Sequence, residues 1–441
     1  MLEGLEAFCG RALARYGCPS VSVGVAERGE VALAAAFGVA DRATGRPATP
    51  GTVYGLGSVT KPVVAIAVCV AADAGLLDLD APVPFDFGLS APTVRQLLGH
   101  RAGFAPYYDF GYADEAARVD AARHTVQFEE AGSGFTYANL GYRVLGHLLE
   151  AAGGQEAGAF VRERVFEPLG LTSWHLGPAH PGPAPAAVRY TPDGRAYPPY
   201  TCGHPAATLG WATAGELALF TAAYERLLRP ATAAAVLTAE PITAHTGYGL
   251  GWTVSSGDGP LVISHSGGGP GVAAMTVGVP ERELAVSVLC DCTDKSARDA
   301  VVRYVLDELL DGFDPAALAS PVLDPARPLD LPEGRWSGSI STPEGELPVT
   351  LEVLPGRRVT VTLPGAGTGT VPATASATRD LRADTALQLP TADARINSPS
   401  LAFALTLRDG ALTGLAHAYK DGDHEGRLGN FLSHRCVLRT D

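Results

Sequence analysis

A change of hydrophobic period after residue 310 constrains this fold more than any other feature of the sequence. Before it, helical and strand spacings alternate. Residues 19–40 read as two strands around the turn Glu27-Arg28-Gly29-Glu30. Helices are expected from Ser58 to about Gly75, near Thr93–Gly99, over 139–152 and 157–167, and from Thr213 to Leu228. Four strands follow, Gly247–Ser255, Pro260–His265, Val272–Val279 and Glu283–Cys290, and an amphipathic helix closes the unit at Ser296–Leu310. This order predicts one antiparallel sheet with helices on both sides. His180 to Tyr200 carries six prolines and reads as a surface loop. From Gly334 onward only short alternating segments remain (RWSGSIS, LPVTLEV, RVTVTLP, SLAFALTL, LTGLAHAY, SHRCVLR), the signature of a small all-β barrel or sandwich. The expected division is a domain over 1–315, a Pro-rich linker over 316–333 and an all-β domain over 334–441.

Charge and cysteine usage exclude several roles. A net charge of -14 over 441 residues leaves no basic face for nucleic acid. The longest apolar run, Pro62 to Ala72, is too short for a membrane span. The first residues lack a basic start and an unbroken apolar stretch, so no signal peptide is expected and the protein is expected to be cytoplasmic. Seven scattered cysteines without a C-x-x-C pair predict reduced, buried thiols and no metal. The cluster His417, Asp421, Asp423, His424 and Glu425 fits no zinc or EF-hand spacing and reads as a solvated hairpin tip. No cofactor is expected.

Only three of the 33 basic residues are Lys: Lys61, Lys295 and Lys420. Where Arg supplies nearly all positive charge, each Lys needs a reason. Ser58-Val59-Thr60-Lys61 opens a helix after a Gly-flanked turn, so Ser58 and Lys61 share a face. A serine hydroxyl needs a neighbouring base, and a buried Lys can lose its proton where Arg cannot. Lys295 and Lys420 have no such setting and read as surface charges. Tyr137-Ala138-Asn139 precedes a helical run, and a phenol beside an ammonium can relay a proton. His265 is read as ending a strand before Ser266-Gly267-Gly268-Gly269, where a substrate backbone can approach closely.

Ser58-x-x-Lys61, Tyr137-x-Asn139 and His265-x-Gly267, in that order, resemble the three site motifs of the penicillin-binding protein and class C β-lactamase superfamily. The segments Gln96-Leu97-Leu98-Gly99-His100-Arg101-Ala102-Gly103-Phe104, Phe166-Glu167-Pro168-Leu169-Gly170-Leu171 and Tyr248-Gly249-Leu250-Gly251-Trp252 agree with it. The resemblance implies an α+β fold, an antiparallel five-stranded sheet flanked by helices plus a helical lobe. It implies acyl-enzyme chemistry with Ser58 as nucleophile, Lys61 and Tyr137 moving protons, and Asn139, His265 and Gly267 supporting the substrate. The oxyanion would sit between the N–H groups of Ser58 and Gly268. His265 stands where β-lactamases carry Lys, which weakens any anchor for a substrate carboxylate and is similar to the family's esterases, D-aminopeptidases and thioesterases. The C-terminal barrel resembles the lipocalin-like domain of penicillin-binding-protein-type thioesterases, which release and cyclise nonribosomal peptides. The expected substrate is therefore a peptidyl thioester or ester, delivered by a carrier protein in the thioesterase reading. A D-stereospecific aminopeptidase, amidase or esterase is the alternative, ahead of a β-lactamase or a silent binding protein.

Overall fold

A computed structural model describes residues 2–182, 184–255, 259–321 and 324–441. The chain packs as two compact units. The first comprises Met1–Gly103, Glu129–Phe135 and Asn139–Pro321; the second comprises Phe104–Phe128, Thr136–Ala138 and Val322–Asp441. Residues 322 and 323 of the expected linker lie outside the described residues, as does residue 183 of the expected surface loop.

The first unit is built on one antiparallel sheet. Its long strands are β1 (Ser20–Glu27), β2 (Glu30–Asp41), β5 (Ile263–Gly269), β6 (Val272–Val279) and β7 (Leu284–Cys290), in the order β2-β1-β7-β6-β5. Two short strands, β3 (Thr246–Tyr248) and β4 (Thr253–Ser255), extend it beyond β5, and two-residue pairings at Arg46–Pro47 and Glu240–Pro241 close its ends. The β1–β2 turn carries Arg28 at φ 52 and Gly29 at φ 84, the left-handed pair that a two-residue hairpin requires. The single strand expected over Gly247–Ser255 is instead β3 and β4, because the chain bends between them at Gly251, φ +87. Strand β5 runs four residues past His265, with Gly267 opposite Ala274 and Gly268 opposite Ala273. The glycines expected to follow the strand are part of its ladder.

Helices cover both faces of this sheet. On one face α1 (Leu5–Tyr16) and the last helix of the unit, Ser296–Leu309, bury Leu5, Cys9, Leu13, Val301 and Val305 against Val21, Val23 and Val288, with the Phe8 and Tyr304 rings stacked at 4.2 Å. On the other lies the helix Ala214–Ala223, so close to β1 that a Cβ on Gly24 would meet Ala214 O at 2.1 Å. The helix α2 (Thr60–Asp73) is apolar all round and has 11 of its 14 residues buried, as a central helix must. It packs on α3 (Asn139–Gly153). The described residues of the 180–200 segment have little regular structure and many are exposed, as expected of a surface loop, while Tyr190, Tyr197 and Tyr200 anchor it by burial.

The second unit is a closed, eight-stranded antiparallel barrel of up-and-down topology. Strands β8 (Gly334–Thr342), β9 (Gly345–Leu354), β10 (Arg358–Leu363), β11 (Gly367–Ala375), β12 (Leu381–Thr385), β13 (Ser400–Arg408), β14 (Ala411–Tyr419) and β15 (Phe431–Thr440) pair in chain order, and β15 returns to β8. Alternate side chains fill the interior, among them Trp336, Ile340, Leu351, Val361, Phe403 and Leu438, as expected where eight strands leave room only for side chains. Strands β11 and β12 do not figure among the six segments read from the sequence. The stretch 104–128 also joins this unit: Tyr108 exchanges backbone hydrogen bonds with Phe431, and Phe110 N–H donates to Asn430 Oδ1 at 2.8 Å. His417 is buried, with Nδ1 2.8 Å from Ser433 Oγ, so it is a barrel residue and not part of a solvated tip; Asp421, His424 and Glu425 are exposed. No described helix is long and apolar enough to cross a membrane.

All seven cysteines are free and buried. Between two of them, Asp291 lies buried at the end of β7. It accepts from Ser20 N–H (2.9 Å) and Ser20 Oγ (2.8 Å), and Ser20 Oγ lies 2.8 Å from Tyr54 Oη. Burial outweighs these hydrogen bonds and pushes its carboxyl from 3.8 up to about 8. The folded state therefore holds a proton that the unfolded chain has released. The associated stability is full below pH 3.8 and falls as pH rises through about 8, by roughly 1.4 kcal/mol per pH unit within that window. Asp291→Asn keeps the neutral form at every pH. In urea denaturation at pH 5, 7 and 9, the variant is expected to lose less stability with rising pH than the wild type; parallel losses would refute the assignment.

Candidate active site

Tyr54-Gly55-Leu56-Gly57 leads into a 3-10 turn, Gly57–Val59, and α2 begins only at Thr60. Ser58 therefore lies in the 3-10 turn, two residues before the α-helix it was expected to open. The tighter turn still serves the pair, because residues three apart eclipse in a 3-10 turn. Ser58 is half-exposed, whereas Lys61 is fully buried at 0% exposure. Thr60 secures the turn: its hydroxyl donates to Gly57 O at 2.7 Å and accepts from Gly210 N–H at 2.9 Å.

Lys61 Nζ lies 3.1 Å from Ser58 Oγ, 2.7 Å from Asn139 Oδ1 and 3.2 Å from Ala207 O. Burial holds its pKa well below the ordinary lysine value of 10.5. A neutral amine has two N–H bonds and one lone pair. Asn139 Oδ1 and Ala207 O can each accept one of these N–H bonds, and Ser58 Oγ lies within reach of the lone pair. The Tyr142 ring of α3 lies 5.6 Å from Nζ on a further side.

His265 is buried on β5. Its Nδ1–H donates to Ser266 O at 2.9 Å, so Nε2 accepts from the Tyr248 hydroxyl at 3.0 Å. Burial, followed by the nearby Lys61 charge, pushes it down to about 3, so the imidazole is neutral at pH 7. Beyond it, β5 and the Ser58 turn meet backbone to backbone. A Cβ on Gly57, itself at φ +52, would lie 2.7 Å from Gly268 N, and a Cβ on Gly267 would lie 2.1 Å from Leu56 O. Glycine on both sides of this contact brings the Gly268 amide beside the Ser58 turn.

Ser58, Lys61, Asn139, His265, Gly267 and Gly268 all belong to the first unit. Tyr137, half-buried, lies two residues before Asn139 on the stretch 136–138 that packs with the second unit. Two residues to which the sequence assigned no role here also shape this strand. Arg298, 4% exposed, donates from Nη1 to Ser266 Oγ (2.8 Å), Gly267 O (3.2 Å) and Ala274 O (2.9 Å), pinning the backbone of β5 and β6. Lys295, read as an ordinary surface charge, lays its exposed side chain over Gly268, with Nζ 3.0 Å from the place a Cβ would take there. Lys420 is likewise engaged, donating to His424 O (2.7 Å) and Arg427 O (3.0 Å). The scarcity of Lys was the available signal for both.

Residues 5–310 match the Beta-lactamase family. The chain belongs to this family. It is a family of serine hydrolases whose members include penicillin-binding proteins, D-aminopeptidases and esterases. The chain is 34% identical over 184 residues to esterase EstB of Burkholderia gladioli, covering 36% of this chain and 47% of the esterase. It is 29% identical over 190 residues to a D-aminopeptidase of Brucella ovis, covering 40% of this chain and 36% of that enzyme. The chain thus spans less than half the length of either curated relative. Among solved structures, SurE superposes with a TM-score of 0.69 at 21% identity over 98% of both chains, and one SurE structure contains D-Leu. The family's sheet-and-helix fold and the barrel are both within that overlap.

The glycine contact yields a direct prediction. Gly267→Ala places a methyl group 2.1 Å from Leu56 O and must push β5 off the Ser58 turn. Labelling of Ser58 by a fluorophosphonate is expected to slow by on the order of a hundredfold, the usual effect of displacing one oxyanion donor. A labelling rate equal to the wild type's would show that this contact does not position the site.

Proposed function

We propose that this chain is a serine acyl-enzyme hydrolase or acyltransferase, and that it acts as a thioesterase that releases and macrocyclises a peptide. The observation that carries the first part is the fully buried Lys61 with its Nζ 3.1 Å from Ser58 Oγ. In this reading Lys61 takes the Ser58 proton as Oγ bonds to the carbonyl carbon of an ester or thioester. The carbonyl oxygen becomes an oxyanion held by the N–H groups of Ser58 and Gly268. Collapse breaks the bond to the thiol or alcohol, which leaves with the proton relayed through Lys61 and Tyr137. The peptide's own amine then attacks the acyl-Ser58 ester and loses a proton to Lys61, which passes it to Ser58 Oγ as the acyl–oxygen bond breaks, restoring the hydroxyl and the neutral amine. Asn139, His265 and Gly267 support the bound acyl chain. The hydrolase domain spans 1–315 and the lipocalin-like domain 334–441, and a carrier protein delivers the thioester.

The peptide-cyclising part is supported by the closed barrel following the hydrolase fold, an arrangement shared with SurE across 98% of both chains. The D-Leu in a SurE structure favours a D-residue at the acyl end. A second reading, a D-stereospecific aminopeptidase, amidase or esterase, is favoured by the D-aminopeptidase and esterase relatives. There, water takes the place of the amine.

Peptidyl thioesters ending in a D- or L-residue distinguish the two. A product at the mass of the free peptide minus water, from the D-substrate, is the expected outcome, and free acid alone would favour the second reading. Ser58→Ala should give no fluorophosphonate adduct by intact mass. Lys61→Arg should keep the fold by circular dichroism and lose at least about a hundredfold in turnover, since a guanidinium does not deprotonate. Normal turnover by Lys61→Arg would remove the base assignment.

A further inference from the structure

The segment 202–208 holds a buried thiol, a buried imidazole and a threonine that the reaction above does not use. Cys202 is 9% exposed and His204 0%. Thr208 Oγ1 lies 3.2 Å from His204 Nδ1 and 3.3 Å from Cys202 Sγ, and the thiol lies 3.5 Å from the same Nδ1. The ring nitrogen, the hydroxyl and the thiol thus form one cluster within hydrogen-bonding reach, and the Thr208 hydroxyl also lies 3.5 Å from His204 O. Arg143 of α3 donates to Gly203 O at 2.9 Å, fixing the start of the segment. Between these anchors the short helix Pro205–Thr208 presents Ala207 O to Lys61 Nζ.

We propose that Cys202, His204 and Thr208 form a positioning clamp that holds the Ala207 carbonyl against Lys61, and so sets both the aim and the basicity of the amine facing Ser58. This rests on the assignment of Lys61 as base. Ala207 O, with Asn139 Oδ1, helps to orient the amine; its withdrawal lets Nζ turn away from Ser58. The same carbonyl stabilises the ammonium, so its withdrawal lowers the lysine's pKa further. The groups facing Lys61 include Ser58 beside it on the 3-10 turn, Asn139 and the Tyr142 ring from α3, and His265 from β5. Ala207, Cys202 and His204 face it from this segment. Burial, followed by the lysine's charge, pushes His204 down to about 3, so the clamp adds no second positive charge.

The test measures kcat/KM against pH with a simple activated ester, each enzyme being normalised by titration of reactive Ser58. His204→Leu and Thr208→Val remove one side of the Nδ1 contact. Both are expected to lower the plateau about tenfold or more and to move the acid limb to lower pH. His204→Asn and Thr208→Ser, which keep an acceptor and a hydroxyl in place, should restore most of the plateau and the wild-type limb. A loss that is only structural lowers the titrated fraction and leaves the limb in place. An unmoved limb in the folded variants, or a full plateau in Thr208→Val, overturns the proposal. Should His204→Leu not fold, Thr208→Val decides alone. A wild-type enzyme whose Ser58 is never acylated would instead refute the base assignment, a distinct failure.

Discussion

The arrangement of the first unit depends on burying one amine. A lysine with no exposed surface is costly as a cation, by several kcal/mol even after relaxation. Two remedies exist, a counter-charge or loss of the proton. The hydrogen-bond partners of Lys61 include a hydroxyl, an amide oxygen and a peptide carbonyl. Neutral acceptors satisfy N–H bonds without restoring the cost of the charge, and so they favour the amine. The elements around it follow from this requirement. An α2 helix apolar on every side dries the site, α3 begins at Asn139 so that its first residue reaches the amine, and the 205–208 turn supplies the remaining acceptor.

Close backbone approach is the second requirement, and it is met with glycine. The Gly57 φ of +52 and the contacts of Gly57 and Gly267 with the facing backbone leave no room for a side chain on either strand or turn. A ladder of bare glycines is weak in itself, since glycine adds no packing and gives up more entropy on ordering. Arg298 compensates by bonding Ser266 Oγ and two carbonyls across β5 and β6 from a buried position. The site strand thus owes its rigidity to a residue 31 positions further along the chain from Gly267.

Local pattern explains what could be read in advance. The Ser58-x-x-Lys61 spacing, the Arg28-Gly29 turn and the alternating barrel segments are properties of neighbours in sequence, and each occurs at the place its chemistry predicts. Strands β11 and β12 escaped because GTGTVPATA and LRADT lack a strong apolar alternation. Only Leu381 and Ala383 of β12, with Ala373 of β11, turn inward as buried apolar side chains, and pairing to β10 and β13 makes the two segments strands. The same holds for Arg298, His204 and the excursion 104–128, whose partners lie far along the chain or across a turn. The contacts of Lys295 and Lys420 escaped for a related reason: a composition count marks a residue as unusual without saying what it touches.

The substitution of His for Lys at the third motif gains a physical sense from this geometry. Three basic nitrogenous side chains converge in the buried site: Lys61, His204 and His265. Each would raise the cost of charging the others, and both imidazoles are pushed down to about 3. An ammonium at position 265 would add a second buried positive charge close to Lys61. With a neutral imidazole tied to Tyr248 and Ser266 O, burial alone depresses the lysine. The cost is the loss of a cation from the strand's inner face. Positive charge next to the glycine ladder comes instead from Lys295, whose side chain lies over Gly268 and whose own pKa is lowered first by desolvation there.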